Sequence, residues 1–225
     1  TRPGFEAAGL GETWPMLLAY LFLVGALVAS SAIDARHFIL PLPVMWLTAL
    51  VGLVVAPITG AAVIGAPLPP EQAPGWLPWA AGSQLGLAAG GTVGLGVAMG
   101  LLKLGYIPQS FDQPEFEPHD NEAPDAFLAH PAPRAEVLKE LLFVAPPFLG
   151  GVAGYWIMVD RADTPAPWLA VLGGVLLGYL VGGAVVWATR ILGTLAFGKE
   201  AMGLGDVHLM AAVGAIAGWQ TALVA

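Results

Sequence analysis

The sequence predicts an all-α fold, a polytopic transmembrane helix bundle with about six spanning helices. Hydrophobic residues make up 57% of the 225 residues, charged residues only 11%, and the mean hydropathy is +0.75. Soluble domains carry about 25% charged residues. Apolar runs long enough to cross a bilayer, about 20 residues each, recur along the whole chain. The predicted spans are 14–33, 40–66, 77–102, 141–159, 168–188 and 206–225.

Each predicted span has a composition suited to helix packing in lipid. Many of the 30 glycines lie inside the apolar runs, where small residues let helices approach closely. Pro57 predicts a kink in the second helix. The chain has no cysteine, which excludes disulfides, thiol catalysis and cysteine-ligated zinc within these residues. We therefore expect one transmembrane domain over 1–225.

The first apolar run is too long for a secretory signal core, so we expect it to stay as a helix. The chain starts without Met and ends inside an apolar run, so we expect a fragment of a longer protein.

The basic residues predict which side of the membrane each loop occupies. Cytoplasmic loops of membrane proteins are enriched in Lys and Arg. With six crossings, only Arg2 and Arg161 fall outside, and the other six basic residues fall inside. Asp34 at the end of the first span and Asp206 at the start of the sixth are then both predicted at the cytoplasmic boundary.

A proline-rich acidic loop is predicted at about 103–140. Six of the 16 acidic residues lie between 112 and 125. We expect a solvated loop, and the alternative is an acidic surface that attracts basic substrate segments. His119 beside Asp120 is a weak metal candidate because its surroundings are rich in proline. Nucleic acid is an unfavourable partner for a chain with a net charge of −8.

Asp34 and Asp206 are the candidate catalytic residues. Asp206 ends the tetrapeptide Gly203-Leu204-Gly205-Asp206, in which bare backbone at the two glycines lets an extended peptide approach the carboxylate. Taken alone, Asp206 could instead be a helix cap. Asp34 alone could be an interfacial charge paired with Arg36 or His37.

Together, the two carboxylates suggest an aspartic protease. Two like charges held close together share one proton. The ionised member can take a proton from water, and the protonated member can donate to the scissile carbonyl. This chemistry needs no metal and no cofactor. The sequence contains no Gly-x-Ser-x-Gly element, no His-Glu-x-x-His element and no phosphate-binding loop.

Two segments resemble a known family. Residues 200–219, EAMGLGDVHLMAAVGAIAGW, are similar to the signature of the type IV prepilin peptidases, which are membrane aspartic proteases of the Gly-x-Gly-Asp group with archaeal preflagellin-processing relatives. Residues 31–41, SAIDARHFILP, are similar to the first aspartate segment of that family. The sequence departs from the family where Leu42 replaces a polar residue and His208 replaces a common lysine.

The resemblance implies a catalytic pair of Asp34 and Asp206, with Gly203 and Gly205 binding substrate or supporting the backbone. It implies a type IV prepilin or type II secretion pseudopilin precursor as substrate and partner. It also implies a bacterial inner membrane location, with the cut at the cytoplasmic face. Many family members methylate the new N-terminus and carry Cys-x-x-Cys motifs upstream of the first aspartate. Without cysteine, methylation is not assignable to these residues.

Two alternatives stay open at this point. A presenilin-like intramembrane aspartyl protease shares the Gly-x-Gly-Asp element. A proton-coupled transporter, which is a different class of protein, would place its acids near the bilayer midplane in broken helices.

Overall fold

The computed structural model describes residues 9–37, 40–69, 72–110, 133–161, 164–198 and 200–224. Over these ranges the chain is helical and contains no strand, which confirms the all-α prediction. The helices are α1 (Leu10–His37), α2 (Leu42–Val63), α3 (Ser83–Lys103), α4 (Pro133–Met158), α5 (Pro167–Phe197), α6 (Leu204–Ala217) and α7 (Trp219–Ala222).

Prolines stand at several helix starts. The first helical position has no intrahelical acceptor for its N–H, so proline costs nothing there. Pro167 opens α5 in this way, and Pro43 lies in the first turn of α2. The proline predicted to kink the second helix, Pro57, does lie within α2.

Five of the helices, α1 to α5, are long and apolar enough to cross a membrane. The sixth apolar helix, α6, has 14 residues, which is about 21 Å against the ~30 Å of a hydrocarbon core. The predicted span 206–225 is interrupted at Gly218, where φ is 86° and ψ is 161°. That conformation suits glycine and ends the helix, and the short helix α7 follows.

Contacts at the two ends of the bundle show which helices begin together: α2 and α6 begin at one end, and α3 and α5 begin at the other. At one end, Leu40 before α2 touches Gly205 in the first turn of α6. At the other end, Ala80 before α3 donates its backbone N–H to the Ala170 carbonyl in the first turn of α5. We call the first of these the aspartate end, because α1 also finishes there and α6 begins there.

The glycines pack helices together, as predicted. A Cβ on Gly86 would lie 2.1 Å from the Gly154 carbonyl oxygen, and one on Gly90 would lie 2.0 Å from that of Gly150. These contacts bring α3 and α4 backbone to backbone. The pair of α5 and α6 is equally close, because a Cβ on Gly178 would lie 1.9 Å from the Gly214 carbonyl oxygen. Close backbone approach of this kind is a main source of helix association in lipid.

Several boundaries differ from the predicted ones. Helix α1 continues to His37, so Asp34 lies inside the helix rather than just beyond it. Helix α5 continues nine residues past the predicted 188, to Phe197, so Arg190 is helical and not in a loop. Residues 77–81 are buried but not helical, and α3 begins at Ser83. Helix α4 begins at Pro133, and the acidic residues 112–125 lie outside the described ranges.

Candidate active site

Asp34 lies in the last turn of α1 and is exposed. Arg36 and His37 occupy the same turn, where positive side chains suit the negative end of the helix dipole. In the described part of the chain, Asp34 forms no ion pair with either of them. The simple explanation of Asp34 as one half of a local ion pair therefore has no support in the structure.

Asp206 lies in the first turn of α6 and is partly buried. The N-cap of this helix is Gly203, which has no side chain to accept a hydrogen bond. The backbone N–H of Asp206 donates to the Gly203 carbonyl at 3.2 Å. Asp206 is therefore not the cap residue of α6, and over the described ranges its carboxylate accepts no hydrogen bond.

The two aspartate segments meet at the aspartate end of the bundle. Helices α1 and α6 are packed neighbours. Leu40, six residues after Asp34, lies against Gly205, the residue before Asp206. Both carboxylates thus stand at the same end of the bundle, on adjacent helices. Counting the crossings predicts the same end for both aspartates, and their depth at the cytoplasmic boundary stays a prediction.

The two glycines of the tetrapeptide have different surroundings. A Cβ on Gly205 would lie 2.8 Å from the Leu40 Cβ, so a side chain there would push α6 away from the segment after Asp34. A Cβ on Gly203 would meet only the Asp206 Oδ2 at 3.6 Å and the Gly205 nitrogen at 3.9 Å. Gly205 therefore serves close packing, whereas Gly203 leaves the approach to the Asp206 carboxylate uncovered.

His208 stands one turn into α6 and connects this helix to α2. Its Nδ1 lies 3.0 Å from the Leu204 carbonyl oxygen. Its ring centroid is 6.1 Å from that of Trp46 on α2. The ring therefore turns toward α2 next to the tetrapeptide.

Sequence reasoning missed a buried charged cluster beside the tetrapeptide. Arg190 on α5 binds Glu140 of α4, and it also binds Glu200 and the Met202 carbonyl just before Gly203. From the sequence, Arg190 counts only as one of the six basic residues predicted on the inner side, in the loop after the fifth span. The available signal was a lone arginine two residues beyond an apolar run, since charges next to hydrocarbon are rarely kept without a partner.

Candidate metal ligands do not gather at the site in the part of the chain that the structure describes. Over the ranges that the structure describes, no three or more His, Asp or Glu residues form a group that could hold a metal ion. His119 and Asp120 lie outside those ranges.

Comparison with known proteins gives partial matches of one kind. The chain is 36% identical over 87 residues to a prepilin leader peptidase/N-methyltransferase of Dickeya chrysanthemi, covering 39% of this chain and 27% of that protein. It is 39% identical over 64 residues to a protein of the same name from Klebsiella pneumoniae, covering 28% and 26% respectively. A third, from Aeromonas hydrophila, is 49% identical over 47 residues, covering 21% and 15%.

The chain is similar to prepilin leader peptidases over part of its length. The matches span about a quarter or less of the length of these relatives. No protein-family model matches the chain, and no solved structure matches it. The similarity supports the resemblance drawn from residues 31–41 and 200–219. The link to archaeal preflagellin peptidases stays a prediction.

Proposed function

We propose that this protein is a membrane aspartic endopeptidase that removes the leader of prepilin-like precursors. The observation that carries the proposal is the contact of Leu40 with Gly205, which joins the segments of Asp34 and Asp206 at one end of the bundle. The partial similarity to proteins named prepilin leader peptidase/N-methyltransferase supports the same reaction. In this proposal, the Gly-x-Gly-Asp element is the tetrapeptide 203–206, and its Asp206 supplies the second catalytic carboxylate.

Asp34 and Asp206 divide the chemistry of hydrolysis. The ionised carboxylate takes a proton from a water molecule, and the oxygen of that water attacks the scissile carbonyl carbon. The protonated carboxylate donates its proton to the carbonyl oxygen. When the tetrahedral intermediate collapses, the C–N bond breaks and the amine leaves with a proton from the dyad. Water supplies all the atoms that are added, so the reaction needs no metal and no cofactor.

The substrate is a precursor whose basic leader meets an apolar helix at the cleavage point. The aspartate end suits such a junction because it combines two carboxylates with the boundary of the apolar helices. Exposure of Asp34 leaves the site open to an extended segment from outside the bundle. The uncovered approach at Gly203 lets the substrate backbone reach Asp206.

The aspartate end is the cytoplasmic end in this proposal. Arg36, Lys103, Arg134, Lys139 and Arg190 all belong to helix segments at that end, and Arg161 follows α4 at the other. Loops rich in Lys and Arg are retained in the cytoplasm. The protein then lies in a bacterial plasma membrane with its catalytic pair facing inward, where prepilin leaders are found.

Single replacement of each aspartate tests this function. Asp34→Asn and Asp206→Asn are expected to lower leader removal from a co-expressed prepilin by at least about 1000-fold, because each carboxylate moves a proton. Asp160→Asn is the matched control, because Asp160 is exposed at the opposite end of the bundle. Leader loss is read as a mass shift of the prepilin, and normal folding is read by size-exclusion chromatography in detergent.

If either Asn variant folds normally and still removes leaders at the rate of the control, the pair is not catalytic. Proton flux in liposomes that depends on both aspartates, without any cleavage, would instead indicate the transporter.

A further inference from the structure

A buried arginine joins three segments at the aspartate end. The Arg190 side chain on α5 is 3% exposed. Its Nε donates to Glu140 Oε1 at 2.6 Å, and its Nη1 donates to Glu200 Oε1 at 2.5 Å. Nη1 also donates to the Met202 carbonyl. One guanidinium thus connects α4, α5 and the chain between α5 and α6.

The connection that Arg190 holds leads directly into the site. It begins at Gly198, where a positive φ of 70° ends α5, and it finishes at Gly203, the N-cap of α6. Met202 is next to Gly203 and four residues before Asp206. A connection of only a few residues, held near its end by a buried cation, has little freedom to change the position of α6.

A second contact holds the same connection against α5. A Cβ on Gly193 would lie 2.5 Å from the Ala201 Cβ, so Ala201 packs against the α5 backbone where Gly193 has no side chain. Ala201 stands between Glu200 and Met202, the two residues of the connection that Arg190 binds. The connection is therefore attached to α5 at three successive positions.

Glu140 gives Arg190 its fixed orientation. The Glu140 side chain is 1% exposed, and Ser110 Oγ donates to the same Oε1 at 3.3 Å. The Glu200 side chain is 43% exposed, so this second carboxylate is open to solvent. Because a guanidinium presents several donors in a rigid plane, it can bind both carboxylates and the carbonyl together. A lysine ammonium has the same charge but lacks the planar set of N–H donors that binds three acceptors at once.

We propose that Arg190 is a positioning residue, which fixes the 200–203 connection and so sets the place of the Asp206 carboxylate. Glu140 is the buried support that orients it. The inference rests on the proposed function and names a residue that acts on the reaction through Asp206, without touching the substrate. Catalytic groups must be held within about 0.5 Å of their productive geometry, which is why such a support is needed.

Kinetics of leader removal form the first test. In the purified protein, Arg190→Gln is expected to lower kcat by about 100-fold, the loss that a displacement of about 1 Å produces. KM for the precursor is expected to stay within twofold, because Arg190 is buried away from the substrate. Arg190→Lys is expected to restore folding stability but not kcat, because lysine keeps the positive charge but not the planar N–H donors of the guanidinium. The matched control is Arg161→Gln, at the opposite end of the bundle.

A changed KM at unchanged kcat would assign Arg190 to substrate binding and overturn the proposal. So would full activity of Arg190→Lys. If Arg190→Gln fails to fold, Glu200→Ala carries the test, because the Glu200 side chain is 43% exposed and its loss removes one of the two bonds from Arg190 to the connection. It is expected to lower kcat by about tenfold.

A second test does not depend on peptidase activity. The chain has no cysteine, so Val207→Cys introduces a single thiol. Val207 is 5% exposed in the first turn of α6, so its thiol reacts with a soluble maleimide only when the start of α6 opens. Adding Arg190→Gln or Arg190→Lys is expected to raise the labelling rate at least about tenfold, whereas Arg161→Gln leaves it unchanged.

Equal labelling rates in all of these proteins would overturn the positioning role, whatever the protein cleaves. Absence of leader cleavage by the unmodified protein would refute the proposed function instead, and the labelling result would still stand. The two failures are thus distinguishable.

Discussion

Replacing Gly205 by alanine probes the contact that joins the two aspartate segments. The added Cβ would lie 2.8 Å from the Leu40 Cβ and 3.0 Å from its Cδ1. The Leu40 Cβ is bonded to the backbone and cannot rotate away. Since ordinary contacts begin at 3.4 Å, the start of α6 and the segment after Asp34 must separate by at least about 0.6 Å.

Two opposing effects decide the stability of Gly205→Ala. Alanine in a helix is favoured over glycine by about 1 kcal/mol. Overpacking at a tight contact costs about 1–3 kcal/mol. We therefore expect a net loss of about 1 kcal/mol. Activity is expected to fall more clearly, by about tenfold, because a displacement of about 1 Å between catalytic groups costs about 100-fold.

The assay is leader removal by purified protein, together with thermal unfolding in the same detergent. Gly96→Ala is the matched control, because Gly96 lies inside α3 and a Cβ there meets nothing within 4 Å. The double variant Gly205→Ala with Leu40→Gly removes the clashing atoms and is expected to recover part of the activity. If Gly205→Ala cleaves like Gly96→Ala, the contact of Leu40 with Gly205 does not position the aspartates.

Three further predictions concern packing, access and the acidic stretch. Gly178→Ala places its Cβ 1.9 Å from the Gly214 carbonyl oxygen, so it is expected to cost about 3 kcal/mol or more, and an unchanged thermal midpoint would contradict this. At Gly203, an added methyl group has room and the φ of −68° suits alanine, so Gly203→Ala is expected to keep its thermal stability. Its cleavage rate is expected to fall, because the methyl group stands 3.6 Å from Asp206 Oδ2, on the approach of the substrate. Stability loss without slower cleavage would refute that role. Deleting 112–125 is expected to weaken binding of a basic leader at low salt and to remove its salt dependence; unchanged binding would dismiss steering by these acids.

The sequence predicted most of the helix order, because apolar runs of membrane length are a strong signal. It also predicted that both aspartates lie at one end of the bundle, because that follows from counting crossings. The predicted last span, 206–225, is longer than the helix α6 that the structure shows, Leu204–Ala217. A single glycine, Gly218, ends α6 there, and an apolar run does not reveal a break at a residue that is common in packed helices.

The support around Asp206 could not be read from the sequence. Arg190 and Glu140 are 50 positions apart, and their pairing depends on α4 and α5 lying side by side. Composition shows only two charges near the ends of apolar runs. Similarly, the role of Gly205 depends on Leu40, which a distant part of the chain brings to it. Local patterns predict elements, whereas contacts between distant segments require the fold.

The distance between Asp34 and Asp206 decides whether the two carboxylates can act as a catalytic pair. Because the chain has no cysteine, Asp34→Cys with Asp206→Cys creates a pair of thiols that a short bifunctional reagent joins if they lie within its reach. The positive control is Trp46→Cys with His208→Cys, because the centroids of the two native rings are 6.1 Å apart. The negative control is Asp34→Cys with Asp160→Cys, which lie at opposite ends of the bundle. We predict that the aspartate positions cross-link as efficiently as the positive control. Cross-linking no greater than in the negative control would contradict a catalytic pair.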